Sequence, residues 1–196
     1  MRIYTARHGQ TSWNKEGRMQ GHVDIPLDET GIIQAHKLSE RFKDIKIGKI
    51  YSSDLGRALE TATIINKHHN IEITVETDLR EISYGQFEGR LVSEIGGQML
   101  KFLKAGRGIP GGEGPDEFFA RVHSCLDKII AANDEDVLIV GHGGTIKSIL
   151  CYFFGLSTEH FTSIGIGNTS VHCFERSGND RQFEMIIDND VSHLEN

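Results

Sequence analysis

The order of apolar runs and amphipathic stretches predicts an α/β fold. It has three layers, α/β/α, with a mostly parallel sheet and an antiparallel edge strand. Three observations carry this expectation. Short apolar runs at 3–6 and 136–140 each stop at a glycine-flanked polar segment, Ala6-Arg7-His8-Gly9 and Gly141-His142-Gly143-Gly144. Stretches of helical periodicity separate the runs. Near the C-terminus, two strand-like runs flank Gly178-Asn179, a turn signal.

Residues 3–6 form the first strand. Over 30–42, Ile32, Ile33, Ala35, Leu38 and Phe42 recur at roughly helical spacing. A short strand covers 47–52. Asp54 then suits the N-cap of a helix through Leu55, Ala58, Leu59, Ala62 and Ile65. Residues 71–75 alternate apolar and polar as a strand does, and 92–104 and 115–132 are helices. Between those helices, the glycine-rich loop 106–114 reads equally as a lid and as a plain surface connection. Residues 136–140 are a buried strand, 145–154 a helix, and 171–175 with 182–187 the closing hairpin.

With 196 residues and no repeat or linker, the chain is expected to be a single domain, 1–196. A net charge of −7 argues against broad binding to nucleic acid or an anionic membrane. An anionic substrate therefore needs a local positive pocket. Cys125, Cys151 and Cys173 are odd in number and widely spaced, which suits free buried thiols in a reducing compartment. No apolar stretch is long enough to span a bilayer, and the N-terminal run is too short for a signal peptide. A cytoplasmic location is expected.

In open α/β sheets, ligands bind beyond the carboxyl ends of the strands. His8 and His142 both stand there. Gly9 lets the backbone bend towards a ligand, and the segment through Thr11, Ser12 and Asn14 offers N–H groups to oxyanions. Arg7 beside an imidazole favours phosphate, because guanidinium is a charged planar fork. Arg57 falls in the first turn of a predicted helix. That place is electrostatically unfavourable for a cation, which gives a ligand role weight. Glu81 and Glu88 both lie close enough in sequence to these groups to move a proton, and the pattern does not choose between them.

Together, Arg7-His8-Gly9, Ser53-Asp54-Leu55 with Arg57-Ala58, Leu79-Arg80-Glu81 and Gly141-His142-Gly143 resemble the histidine phosphatase superfamily, in its phosphoglycerate-mutase-like branch. Gln20-Gly21-His22, Asp24 and Pro26-Leu27 add a fifth match, and the tail Asn189-Asp190-Val191-Ser192-His193-Leu194 resembles those of its small phosphatases. The resemblance implies a phosphoglycerate-mutase-like fold. It makes His8 the nucleophile that becomes phosphohistidine and Glu81 the proton donor. Arg7, Arg57 and His142 bind the phosphoryl oxygens with Asn14, and Gln20, Gly21 and Gly143 complete the substrate-binding set.

The chemistry of these residue types agrees. A neutral imidazole avoids the repulsion that a phosphomonoester dianion sets against anionic nucleophiles. Its other nitrogen needs a fixed acceptor, such as the Gly9 carbonyl. Arg7, Arg57 and a protonated His142 supply the positive charge, so no metal or cofactor is expected. Among phosphatase, mutase, metal hydrolase and non-catalytic phospholigand binder, a phosphatase is expected. Mutases of this branch usually carry a longer insertion after the glutamate motif. A metal site on His8, Asp54, Glu81 and His142 would repel two arginines. The expected partner is a small phosphomonoester such as a sugar phosphate, phosphoglycerate, phosphoserine or α-ribazole phosphate. His22, Tyr84, Phe87, Phe102 and the 106–114 loop are expected to face its leaving group. A homodimer is left open, and His193 is expected to anchor the C-terminus.

Overall fold

The structure, a computed structural model, describes residues 1–104, 108–176 and 182–195. Its elements run β1 (Arg2–Arg7), α1 (Ser12–Glu16), α2 (Glu29–Phe42), β2 (Lys49–Ser52), α3 (Gly56–Asn66), β3 (Ile73–Val75), α4 (Val92–Lys104), α5 (Pro115–Ala132), β4 (Val137–Gly141), α6 (Gly143–Phe154), β5 (Val171–Arg176) and β6 (Phe183–Asp190). The sheet order is β3-β2-β4-β1-β5-β6. β3, β2, β4 and β1 pair in parallel. β5 runs antiparallel to both β1 and β6, so the hairpin forms the antiparallel edge. Its Gly178-Asn179 turn lies outside the described residues, as do Gly106 and Arg107 of the glycine-rich loop.

Pleating sends successive side chains to opposite faces and so divides the core. Ile3, Val137 and Ile139 meet Phe118, Val122 and Leu126 of α5 and Ile146 and Ile149 of α6. Tyr4, Ala6, Leu138 and Val140 meet Leu38 and Phe42 of α2 and Ala58, Ala62 and Ile65 of α3. Strands covered on both faces need apolar residues at every position, which is why β1 and β4 read as continuous runs. Each fully buried Leu, Ile or Phe contributes about 1.5–3 kcal/mol through its transfer from water.

Three local expectations change. The turn after His8 closes into α1, where Thr11 accepts from the Asn14 backbone N–H and Asn14 answers as a capping box. Five residues are too few to show a periodic apolar pattern. Asp54 does not cap α3, which starts after Leu55 with no side-chain cap; Asp54 instead accepts two hydrogen bonds from the Nε and Nη2 edge of Arg80. An ion pair with an arginine outweighs one capping bond. In α2, Ala35, Leu38 and Phe42 are buried, but Ile32 and Ile33 face outward, Ile33 with 58% exposure. The apolar stripe is set by the turns that reach the sheet, and the first turn overhangs it.

The register places the site. Arg7 is the partner of Gly141, and His8 N–H donates to the Gly141 carbonyl at 3.0 Å. The two histidines after these strand ends are therefore neighbours. The chain leaves β1 towards α2 on one face of the sheet and leaves β4 towards α6 on the other. That divergence opens a crevice at the carboxyl ends, the usual place for a ligand.

Candidate active site

His8 is 2% exposed, and its Nδ1 lies 2.7 Å from the Gly9 carbonyl. A carbonyl only accepts, so Nδ1 carries the hydrogen and Nε2 keeps its lone pair. Burial first, and then the Arg7 and Arg57 cations, hold the His8 pKa well below the ordinary histidine range; the Gly9 bond opposes them. The ring is neutral at physiological pH. The Gly9 N–H donates to Thr61, whose hydroxyl donates to the Arg57 carbonyl, so α3 braces the loop that carries His8.

The ring of His142 lies 5.2 Å from that of His8, tilted by 60°. Its Nδ1 accepts from Arg57 Nε at 3.2 Å and its Nε2 lies 2.9 Å from Ser53 Oγ. Arginine always donates, so Nδ1 of His142 carries no proton and Nε2–H points to Ser53. Burial, then Arg57, His8 and Arg7, push its pKa well below the usual range. The expected imidazolium is thus corrected: His142 is neutral in this site, because an arginine already occupies its second nitrogen.

Arg57 is fully buried, and donates to the Gly21 and Val23 carbonyls at 2.8 Å each as well as to His142. Arg7 donates to the Ile166 carbonyl at 2.7 Å, while its Nε is buried with no partner. The two guanidiniums therefore flank the imidazoles with N–H groups still to be met. Across from them, Glu81 accepts from the Ile82 N–H at 2.9 Å and, through Oε2, from the Gly144 N–H at 3.0 Å. A Cβ built on Gly143 would stand 3.7 Å from Arg7 Nε and 3.8 Å from Glu81 Oε2. One on Gly144 would lie 2.0 Å from Glu81 Oε1. The glycine pair that opens α6 thus makes room for both groups.

Glu88 is used elsewhere. Its Oε1 accepts from the backbone N–H groups of His22 at 3.0 Å and Tyr84 at 3.1 Å, beneath Gly21. A neutral nucleophile, a buried and a partly buried arginine with open N–H groups and one carboxylate at the rim suit transfer of a dianionic group.

The sequence matches the histidine phosphatase superfamily (branch 1) over residues 3–189. The chain belongs to this superfamily. It is 37% identical over 204 residues to phosphoglycerate mutase-like protein 4 of Arabidopsis thaliana, covering 98% of this chain and 86% of that one. Among solved structures, Bacillus stearothermophilus YhfR superposes with a TM-score of 0.88 at 32% identity, over 98% of each chain. The phosphoserine phosphatase of Entamoeba histolytica in complex with 3-phosphoglyceric acid superposes with a TM-score of 0.86 at 28% identity, again over 98% of each. The protein is a phosphatase of the phosphoglycerate-mutase-like fold.

Within this histidine phosphatase, Arg7, His8, Arg57, Glu81, His142 and Gly143 converge on one site. Asn14 reaches its edge: its Oδ1 is held by Thr11 and, at 3.3 Å, by Asn168, which also donates to the His8 carbonyl at 3.0 Å. Gln20 and Gly21 stand behind it. Gln20 accepts from Thr11 at 3.0 Å, and Gly21 presents its carbonyl to Arg57. His22 lies at the rim, 2.8 Å from the Glu81 carbonyl. Phe87, 2% exposed, packs against Phe102 and belongs to the core, which corrects its placement at the leaving group. Asp54, bound to Arg80, is withdrawn from any metal-binding set, and among the described residues no three His, Cys, Asp or Glu side chains group around a metal position.

Ser53, Asn168, Gly144 and the Ile166 carbonyl were missed as site residues. Ser53 had a signal, its place at the end of β2. Asn168 and Ile166 had none, because their loop meets β1 only through the folded sheet. The described part of the glycine-rich loop is pinned: Ser83 donates to Glu113 at 2.8 Å and Glu113 N–H donates to the Ser83 carbonyl at 3.0 Å. His193 stands 3.2 Å from Thr169 Oγ1 and does fasten the tail. All three cysteines are free and buried, and no helix among the described residues is long and apolar enough to cross a membrane.

Proposed function

We propose that this phosphatase hydrolyses a small phosphorylated metabolite without a metal, through phosphohistidine on His8 and with Glu81 as proton donor. The state of His8 carries the reading. Its Nδ1–H is fixed on Gly9, its Nε2 is bare, and the charges of the fully buried Arg57 and the partly buried Arg7 act on it. Nε2 attacks phosphorus while the ester oxygen departs in line. Arg7, Arg57, the Asn14 amide, the Gly143 N–H and His142 Nε2–H, turned from Ser53, hold the three equatorial oxygens. Gln20 and Gly21 serve through the frame that orients Arg57 and Thr11. Protonated Glu81 gives its proton to the leaving oxygen. Its carboxylate then takes one from water, which attacks phosphohistidine and releases inorganic phosphate, restoring His8 and Glu81. The names of similar proteins, among them a phosphoserine phosphatase bound to 3-phosphoglyceric acid, support a small phosphomonoester as substrate. The buried free thiols support a reducing compartment such as the cytoplasm.

Phosphate release from a panel of phosphomonoesters, 3-phosphoglycerate included, tests this after exhaustive chelation. Undiminished release of inorganic phosphate is expected. Activity that EDTA removes and one divalent ion restores would overturn the metal-independent site. Conversion of 3-phosphoglycerate to 2-phosphoglycerate, without release, would make the enzyme a mutase.

A further inference from the structure

Near Glu81 stands a cation that the phosphoryl chemistry does not use. Lys147 follows Gly143 by four residues and Gly144 by three on α6, so all three share one face of the helix. Its Nζ stands over the ring of Phe161, 5.1 Å from the centroid. The Cζ of the same ring is 3.2 Å from a Cβ built on Gly144, the residue whose N–H holds Glu81. Ammonium, ring and carboxylate are thus neighbours in a row.

Among the described residues, the other cations around the site are matched except at Arg7 Nε, which is left for the phosphoryl group. Arg80 has Asp54, Arg121 has Glu113, and Arg57 has the Gly21 and Val23 carbonyls. Lys147 is partly buried, and among the described residues it makes no ion pair; its contact there is the face of Phe161. In a chain of net charge −7, a half-desolvated ammonium with no carboxylate is unusual. Burial lowers its pKa, and the nearby Glu81 charge works against that fall.

We propose that Lys147 determines specificity for the leaving group by receiving an anionic oxygen group, a carboxylate or a second phosphate, on the alcohol half of the substrate. This rests on the phosphomonoesterase reading and adds to it a substrate class: esters whose alcohol carries its own anion. A flexible four-carbon stem suits an anion whose position varies with the alcohol.

The test compares 3-phosphoglycerate with glycerol 3-phosphate, which share a skeleton and differ in the carboxylate. A second pair, fructose 1,6-bisphosphate and fructose 6-phosphate, asks the same of a second phosphate. The wild-type enzyme should prefer the anionic member of at least one pair in kcat/KM, chiefly through KM, and the preferred pair identifies the anion. Lys147→Met should lower that preference roughly ten- to hundredfold, as expected for a lost hydrogen bond to a charged group. Lys147→Arg should keep most of it. Thermal melting of both variants checks folding. Equal loss on both members of each pair, no loss, or a wild-type enzyme that favours neither anion would overturn the inference while p-nitrophenyl phosphate turnover upholds the phosphatase reading. No turnover of any ester would remove that reading, and the inference with it.

Discussion

Arg57 makes three hydrogen bonds within its own protein before any ligand arrives: to His142, Gly21 and Val23. Its planar fork is thereby fixed, and the N–H groups left over have one direction in which to point. Preorganised donors of this kind stabilise developing charge without reorganising during the reaction. The same bond makes His142 neutral, so the positive charge at the site rests on the two arginines. Glu81 is held differently, by two backbone N–H groups at the rim. If it donates the proton, Glu81→Gln will slow alkyl phosphates far more than p-nitrophenyl phosphate, by about 10²–10⁴-fold, the usual worth of general acid catalysis. Steady-state rates on both esters check this. Equal loss on both would leave Glu81 as a positioning group only. Glu88, tied to the N–H groups of His22 and Tyr84, would not readily take its place.

At the scale of elements, the site depends on backbones that touch. A Cβ on Gly31 of α2 would lie 2.0 Å from the Gln10 carbonyl, and one on Gly9 would lie 2.4 Å from the Gly31 carbonyl. Neither neighbour is a side-chain tip that can swing away. Gly31→Ala should therefore push α2 off the loop after β1, costing about 1–3 kcal/mol of stability and lowering activity through displacement of His8. Urea unfolding and assay of the same sample check both effects, and an unchanged unfolding midpoint would contradict the close packing. The strands and long helices were legible because their signals are local: continuous apolar runs in β1 and β4, and Leu38 and Phe42 on the buried stripe of α2. The positions of His8 and His142 at strand ends were enough to bring them together. What was illegible depends on distant partners. Asp54 has the form of an N-cap, but Arg80, 26 positions later, takes it. Asn168 reaches the His8 carbonyl across 160 positions with no motif to announce it. The charge state of His142 could not be read either, because it depends on which atom of Arg57 meets it.

For the whole molecule, burying neutral histidines makes stability depend on pH. His8, His142 and His172 all have folded pKa values lowered chiefly by burial. Unfolded, they titrate near 6.5. Above that value neither state binds the proton, and the stability is fully present. As pH falls below it, the unfolded chain takes up protons that the fold refuses, so stability declines by up to about 1.4 kcal/mol per pH unit for each such histidine. In a domain holding about 5–15 kcal/mol in all, unfolding free energies should fall visibly between pH 7 and pH 5. A flat profile over that range would mean that the folded rings take up protons as readily as the unfolded ones. The charge state matters because a protonated His8 cannot be a nucleophile. The most direct measurement is therefore on that nitrogen. After a brief pulse of substrate and rapid quench under alkaline conditions, mass spectrometry should find acid-labile phosphate on His8, at Nε2, and none in His8→Ala, which should also be inactive. Phosphate on another residue, or turnover that survives His8→Ala, would contradict the account.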